Sequence, residues 1–288
     1  MGHPRPFRFG LQASGPMSAS DWAELARKTE DLGYSTLTCA DHFGDQFAPF
    51  PALTAAAAAT STLRLGTLVL ANDYRHPVVT AKDAATVDVL SDGRLELGLG
   101  AGWMTSDYEA AGIPLDPPGV RIDRMAEGLA VIRGLFADGP FSFAGEHYRI
   151  DGLEGRPRPV QAHVPVVIGG GGPRVLRFAA QHADVVGINV NLAVGVIDER
   201  AGPNATEDAT QAKVDLVREA AGDRYGSIEL QVRVHAVVVT DDRQGMAELM
   251  APALGISPEA ALASPHALAG SAEQIADDLL ARRERWDL

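Results

Sequence analysis

The chain has 288 residues, 46% of them hydrophobic, and a formal charge of −13 at pH 7, which excludes a surface that tracks nucleic-acid phosphates or an anionic bilayer, since both need a basic face. Cys39 is the single cysteine, so an internal disulfide framework and a thiolate metal cluster are excluded; no metal is expected, and a reducing cytoplasm suits the chain. No apolar run reaches the length of a membrane span, residues 1–8 lack the apolar core of a signal peptide, and the length suits one α/β barrel domain over residues 1–288.

In chain order, an apolar run at residues 7–11 precedes an amphipathic stretch at 20–32, where Trp22, Leu25, Ala26 and Leu32 recur at helical spacing and Gly33 supplies the stop. The pattern then repeats with expected strands at 35–39, 63–70, 94–99, 164–168, 184–188 and 228–240. Helices are expected at 51–60, 77–90, 122–136, 173–181, 206–221 and 244–254. Strands alternating with helices call for a parallel sheet, and seven such units predict a (β/α)₈ TIM barrel. Residues 141–152 alternate Phe141, Phe143, His147 and Tyr148 around Ala144-Gly145, which predicts an inserted β-hairpin. A last amphipathic helix at 271–286 has no strand after it, so the final barrel strand is expected to be missing from this chain.

Catalytic groups of a parallel barrel lie at the carboxyl ends of its strands. The second strand exits into Asp41-His42-Phe43; an aspartate and a histidine there suit a reaction centre, and equally a turn cap beside a satisfied loop residue. The third runs through Leu65-Gly66-Thr67 to Arg75-His76-Pro77, which on its own reads as core strand and helix start. The fourth ends in Gly98-x-Gly100-Ala101-Gly102-Trp103, where missing side chains serve either a close flat ligand or a tight turn. The fifth ends in Gly169-Gly170-Gly171-Gly172-Pro173. Exposed amides there, followed by a helix amino end, suit a phosphate, although no Walker or dinucleotide fingerprint is present.

Taken in this order, these motifs resemble the luciferase-like monooxygenase superfamily, in particular its branch of F420-dependent oxidoreductases, and the resemblance extends from about Phe7 to Trp286. It implies coenzyme F420 as cofactor, with Asp41 and His42 against the ring and a non-prolyl cis peptide at Leu68–Val69 behind it, near Ala71. It further implies Gly100, Ala101 and Gly102 beside the ribityl chain, Ser106 near the cofactor tail, and Gly169, Gly170, Gly171 and Gly172 on the phosphate. Leu268-x-Gly270-Ser271 looks like the entry to the family's last helix. A homodimer is implied too, with the alanine run 55–59 allowing close helix approach. The chain departs from the family's sugar-phosphate dehydrogenases: Trp103 stands where those have an acid, Gln46 where they have a tryptophan, and residues 189–192 offer no lysine for a substrate phosphate.

The expected activity is hydride transfer between a deazaflavin and a small organic substrate, with His42 as proton donor or acceptor. Gln12, Trp103, Phe141 and Tyr148 are candidate pocket walls, and each is equally compatible with packing. Two alternatives stay open: an FMN-dependent luciferase-like monooxygenase, and a non-catalytic deazaflavin-binding protein.

Overall fold

The short segments Thr36–Cys39 and Leu95–Gly100 are buried at every position, the pattern of parallel strands covered on both faces. The computed structural model describes residues 5–13, 15–196 and 199–288. Its chain falls into two units, one spanning Phe7–Ile168 and the other Gly169–Leu288 with the first residues of the chain. Both are α/β.

The first unit runs β1 (Gly10–Ala13), α1 (Ala19–Asp31), β2 (Thr36–Cys39), α2 (Pro49–Ala59), β3 (Arg64–Thr67), β4 (Leu70–Ala71) and α3 (Pro77–Leu90). It continues through β5 (Leu95–Gly100), α4 (Thr105–Ala111), α5 (Pro118–Phe136), β6 (Pro140–Ala144) and β7 (Arg149–Glu154) into β8 (Val166–Gly170). Strands pair in parallel in the order β1, β2, β3, β5, β8, with β4 also on β5. Leu37, Leu65, Leu95 and Leu97 are fully buried between this sheet and its helices. The expected hairpin is present as the antiparallel pair β6 and β7. Its tip is pinned by Glu127 of α5, which accepts the amides of Glu146, His147 and Tyr148.

The second unit holds α6 (Pro173–His182), β9 (Val185–Ile188), α7 (Glu207–Ala221), β10 (Glu229–Val232), β11 (Ala236–Val239), α8 (Arg243–Leu254), α9 (Pro258–Ala263), β12 (Ala267–Gly270) and α10 (Ala272–Trp286). β9 pairs with β10 and β11 with β12, both in parallel. Ser18, Thr206, Ser257 and Ser271 cap the helices that follow them, each satisfying an otherwise orphaned amide.

Several expected boundaries move. The apolar run at 7–11 is not the strand itself, which begins at Gly10 and leaves Phe9 47% exposed. The expected strand at 228–240 is two strands, because β10 is bonded to β9 whereas β11 is bonded to β12. The one at 63–70 divides at residues 68 and 69. α4 and α9 were not anticipated; at 7 and 6 residues they are too short to show periodicity. α5 starts at Pro118, four residues early, since proline is accepted in a first helical turn. The expectation of a missing final strand is corrected by β12 (Ala267–Gly270), which was not read from the sequence, precedes α10 rather than following it, and pairs in parallel with β11; at four residues it is too short to stand out as a pattern. No helix among the described residues is long and apolar enough to cross a membrane.

Candidate active site

Within the first unit, the segments leaving β2, β4 and β5 carry most of the expected residues. Asp41 is buried, and Arg75 grips both of its oxygens, at 2.6 and 2.9 Å, while the Ala71 amide donates to Oδ2 at 3.0 Å. Its charge is therefore matched inside the protein, and it ties the exit of β2 to the end of β4.

His42 turns the other way. Its Nδ1 lies 2.7 Å from Oδ2 of Asp107 in the first turn of α4, and the Tyr74 hydroxyl donates to that same oxygen at 3.3 Å. Trp103 meets the imidazole edge to face, with ring centroids 5.7 Å apart. Phe43 packs on Tyr74 at 4.4 Å. Burial, then the charge of Asp107, pushes the Tyr74 phenol well above its ordinary pKa, so it remains a hydrogen-bond donor.

The Leu68–Val69 peptide is cis, as the family resemblance implied, and the Leu68 carbonyl accepts from Gln12 Nε2 at 2.9 Å. The other end of that amide, Gln12 Oε1, is buried without a hydrogen-bond partner among the described residues. The glycines of β5 answer to this neighbourhood. A Cβ on Gly98 would stand 1.8 Å from the Thr67 carbonyl oxygen, and one on Gly100 would stand 2.6 Å from Val69 Cγ2. Part of the glycine signal is thus close packing of β3 on β5. Gly102 has φ +75°, a conformation that glycine adopts freely, and its carbonyl accepts from the buried Arg121, which also bonds the Asp116 carbonyl at 2.8 Å.

Tyr148 is drawn in by Asn72, whose Nδ2 donates to its hydroxyl at 3.0 Å, and His76 stands edge to face with its ring at 5.3 Å. Phe141 instead packs on Gly134 of α5 and on Phe143. Ser106 is exposed on α4. Cys39, at the end of β2, lines a small cavity with Trp22, Gln46 and Phe47; burial pushes its thiol up to about 12, so it stays an unreactive thiol.

Three of the four glycines before Pro173 divide by role. A Cβ on Gly170 would strike Val175 Cγ1 at 2.4 Å, and one on Gly171 would strike the Val190 carbonyl at 2.3 Å, so both are required by packing. Gly172 would meet only Asn191, at 3.9 Å. It is the N-cap of α6 and supplies no side-chain acceptor to the helix amides, an arrangement open to an anion.

Asp107, Tyr74 and Arg75 escaped the sequence reading as site residues. The one local signal was an aspartate opening a helix four residues after Trp103, and such aspartates are common first-turn residues.

A family model described as luciferase-like monooxygenase matches residues 2–287. An F420-dependent glucose-6-phosphate dehydrogenase of Kineococcus radiotolerans is 27% identical over 98% of this chain and 84% of its own length. Among other curated relatives, an uncharacterized protein of Mycobacterium tuberculosis is 36% identical over 47% of this chain and 48% of its own length. Against such relatives the chain spans about half of the length. A solved F420-dependent secondary alcohol dehydrogenase, in complex with an F420–acetone adduct, superposes with a TM-score of 0.75 at 19% identity, covering 97% of this chain and 89% of that one. A monooxygenase from Streptomyces bottropensis gives 0.74 at 22% identity with the same coverages.

Proposed function

Because the chain belongs to the luciferase-like monooxygenase family, we propose that it is an F420-dependent oxidoreductase that moves a hydride between a deazaflavin and a small organic substrate. The observation that carries this reading is His42 held by Asp107 at the exit of β2, with Nε2 bonded to none of the described residues. That leaves one nitrogen of a group able to act as acid or base near neutral pH. F420 is preferred over FMN on the named activities of the Kineococcus relative and of the alcohol dehydrogenase neighbour.

The residues present fit a flavin-type group. Gln12 Oε1 is a buried acceptor in need of a donor, and the edge of such a ring carries an N–H. In the second unit, taken by itself, Gly172 leaves the amino end of α6 open to an anion. When bound, a deazaflavin supplies the carbon that gives or takes the hydride. The chain's own residues do the rest: Gln12 and the Leu68–Val69 segment support the ring, Trp103 packs against the imidazole, and His42 holds or receives a proton at Nε2. Asp41 contributes through the backbone it ties together. A phosphorylated sugar is not proposed as substrate, because Trp103, Gln46 and the lysine-free residues 189–192 lack the groups to hold one.

One (β/α)₈-barrel domain, a cytoplasmic location and a homodimer belong to the same reading; Ala55 and Ala58, exposed on α2, give the small surface a helix-to-helix dimer contact needs. The test is titration of the purified protein with F420 and with FMN, followed by fluorescence and absorbance. Saturable binding of F420 alone supports the proposal, and binding of FMN alone transfers the site to the monooxygenase reading.

A further inference from the structure

We infer that Asp107 is a positioning residue that holds neutral His42 as the tautomer protonated on Nδ1, leaving Nε2 as the atom that accepts or delivers the proton. The inference rests on the role proposed above for His42.

Asp107 is buried, and a buried carboxylate must be satisfied by donors. An aspartate in a first helical turn ordinarily serves its own helix by accepting that turn's amides. This one does not. Its backbone amide donates to the Met104 carbonyl at 3.1 Å, while its side chain reaches across to the exit of β2, 65 residues away in sequence. His42 Nδ1 and the Tyr74 hydroxyl both converge on the single oxygen Oδ2. An ionised carboxylate only accepts, so the neutral imidazole that faces it must carry its proton on Nδ1. Trp103, edge to face at 5.7 Å, restrains the ring from turning. Nucleophile–base–orienter arrangements in unrelated enzymes follow the same logic, with a carboxylate deciding which imidazole nitrogen is free to work.

The test begins on the cofactor-free protein. With ¹⁵N-labelled histidine, long-range ¹H–¹⁵N correlation at about pH 9, where imidazole is neutral, reads the tautomer directly. We expect the Nδ1-protonated pattern for His42 in the native chain and in Tyr74→Phe. Asp107→Ala should shift it toward the Nε2-protonated form that a free imidazole side chain prefers. An Nε2-protonated His42 in the native protein overturns the inference, and that measurement needs no variant to fold. With cofactor and substrate, Asp107→Ala should lower turnover about 10–100-fold, the usual cost of losing an orienting partner, with cofactor affinity changed less than twofold and partial rescue by Asp107→Glu. Where His42→Ala is impaired, equal turnover of Asp107→Ala and native protein also overturns it. If the tautomer is as expected but His42→Ala turns over normally, the positioning stands and the proposed role of His42 fails.

Discussion

Arg75 clasps Asp41 in a two-pronged ion pair, Nη1 to Oδ2 at 2.6 Å and Nη2 to Oδ1 at 2.9 Å, and the Ala71 amide adds a third bond to Oδ2. Both oxygens of a buried carboxylate are thereby used, and the segments after β2 and β4 are locked together. Asp41→Ala strands a guanidinium and an amide. We expect a loss of about 2–4 kcal/mol, between the cost of one charged hydrogen bond and that of opening a buried pair, because the Arg75 side chain keeps 24% of its exposure. Urea unfolding measures it, and a midpoint equal to that of the native protein would show the clasp to be ornamental.

His42→Ala should reduce turnover by about 10²–10⁴-fold, the span typical of general acid–base assistance. Cofactor affinity should change little. Steady-state kinetics beside a fluorescence titration separates the two effects, and unimpaired turnover removes His42 from the mechanism.

The glycines of the two units should respond in opposite ways. In Gly98→Ala the new Cβ meets a backbone oxygen at 1.8 Å, and backbone cannot step aside as a side chain can, so stability should fall by about 3 kcal/mol or more. Gly172→Asp has room and places an acceptor at the N-cap of α6, which should raise stability by roughly a few tenths of a kcal/mol. The same carboxylate repels a phosphate, so F420 affinity should drop sharply. Undiminished affinity with an intact fold would move the phosphate site elsewhere.

Glu30 sits under the amides of Ser61, Thr62 and Leu63. Partial burial opposes its ionisation, but these amides and the Thr62 hydroxyl outweigh it and hold the carboxyl at about 2. A depressed folded value means stability that is present above the ordinary value of about 4.5 and lost as pH falls toward about 2. Glu30→Gln should therefore be less stable than the native chain at pH 7, with the gap closing across that window. A gap that stays constant from pH 7 to pH 3 refutes the assignment.

Glu127 holds the hairpin tip by accepting three successive amides. Burial works against its ionisation and these bonds in its favour, with a net lowering of its pKa. In Glu127→Ala, hydrogen exchange at residues 146–148 should accelerate at least tenfold while exchange in β5 stays unchanged. Unaltered exchange at the tip would mean that the strands alone keep it closed.

Much of this molecule is legible in its sequence alone, because the signals are local. Trp22, Ala26 and Gly33 mark a helix through spacing that depends only on backbone geometry, and α3 begins and ends where Pro77 and Leu90 predicted. Asp41, His42 and the glycines before Pro173 fall at strand exits for the same reason. The two halves of the stretch at 228–240 were not separable, since only their different partners distinguish them.

The chemistry of the site depended on long-range packing. Nothing in the run Ser106-Asp107-Tyr108 tells an aspartate that serves its own helix from one that reaches His42, because the choice is made when β5 pairs beside β3 and brings α4 to the exit of β2. Gly98 likewise reads as serving either a flat ligand or a tight turn until Thr67, 31 residues earlier, is found against it. Spacing along a chain fixes where residues stand on their own element. Which carboxylate meets which base is set by the distances between elements, and those exist only once the sheet has formed.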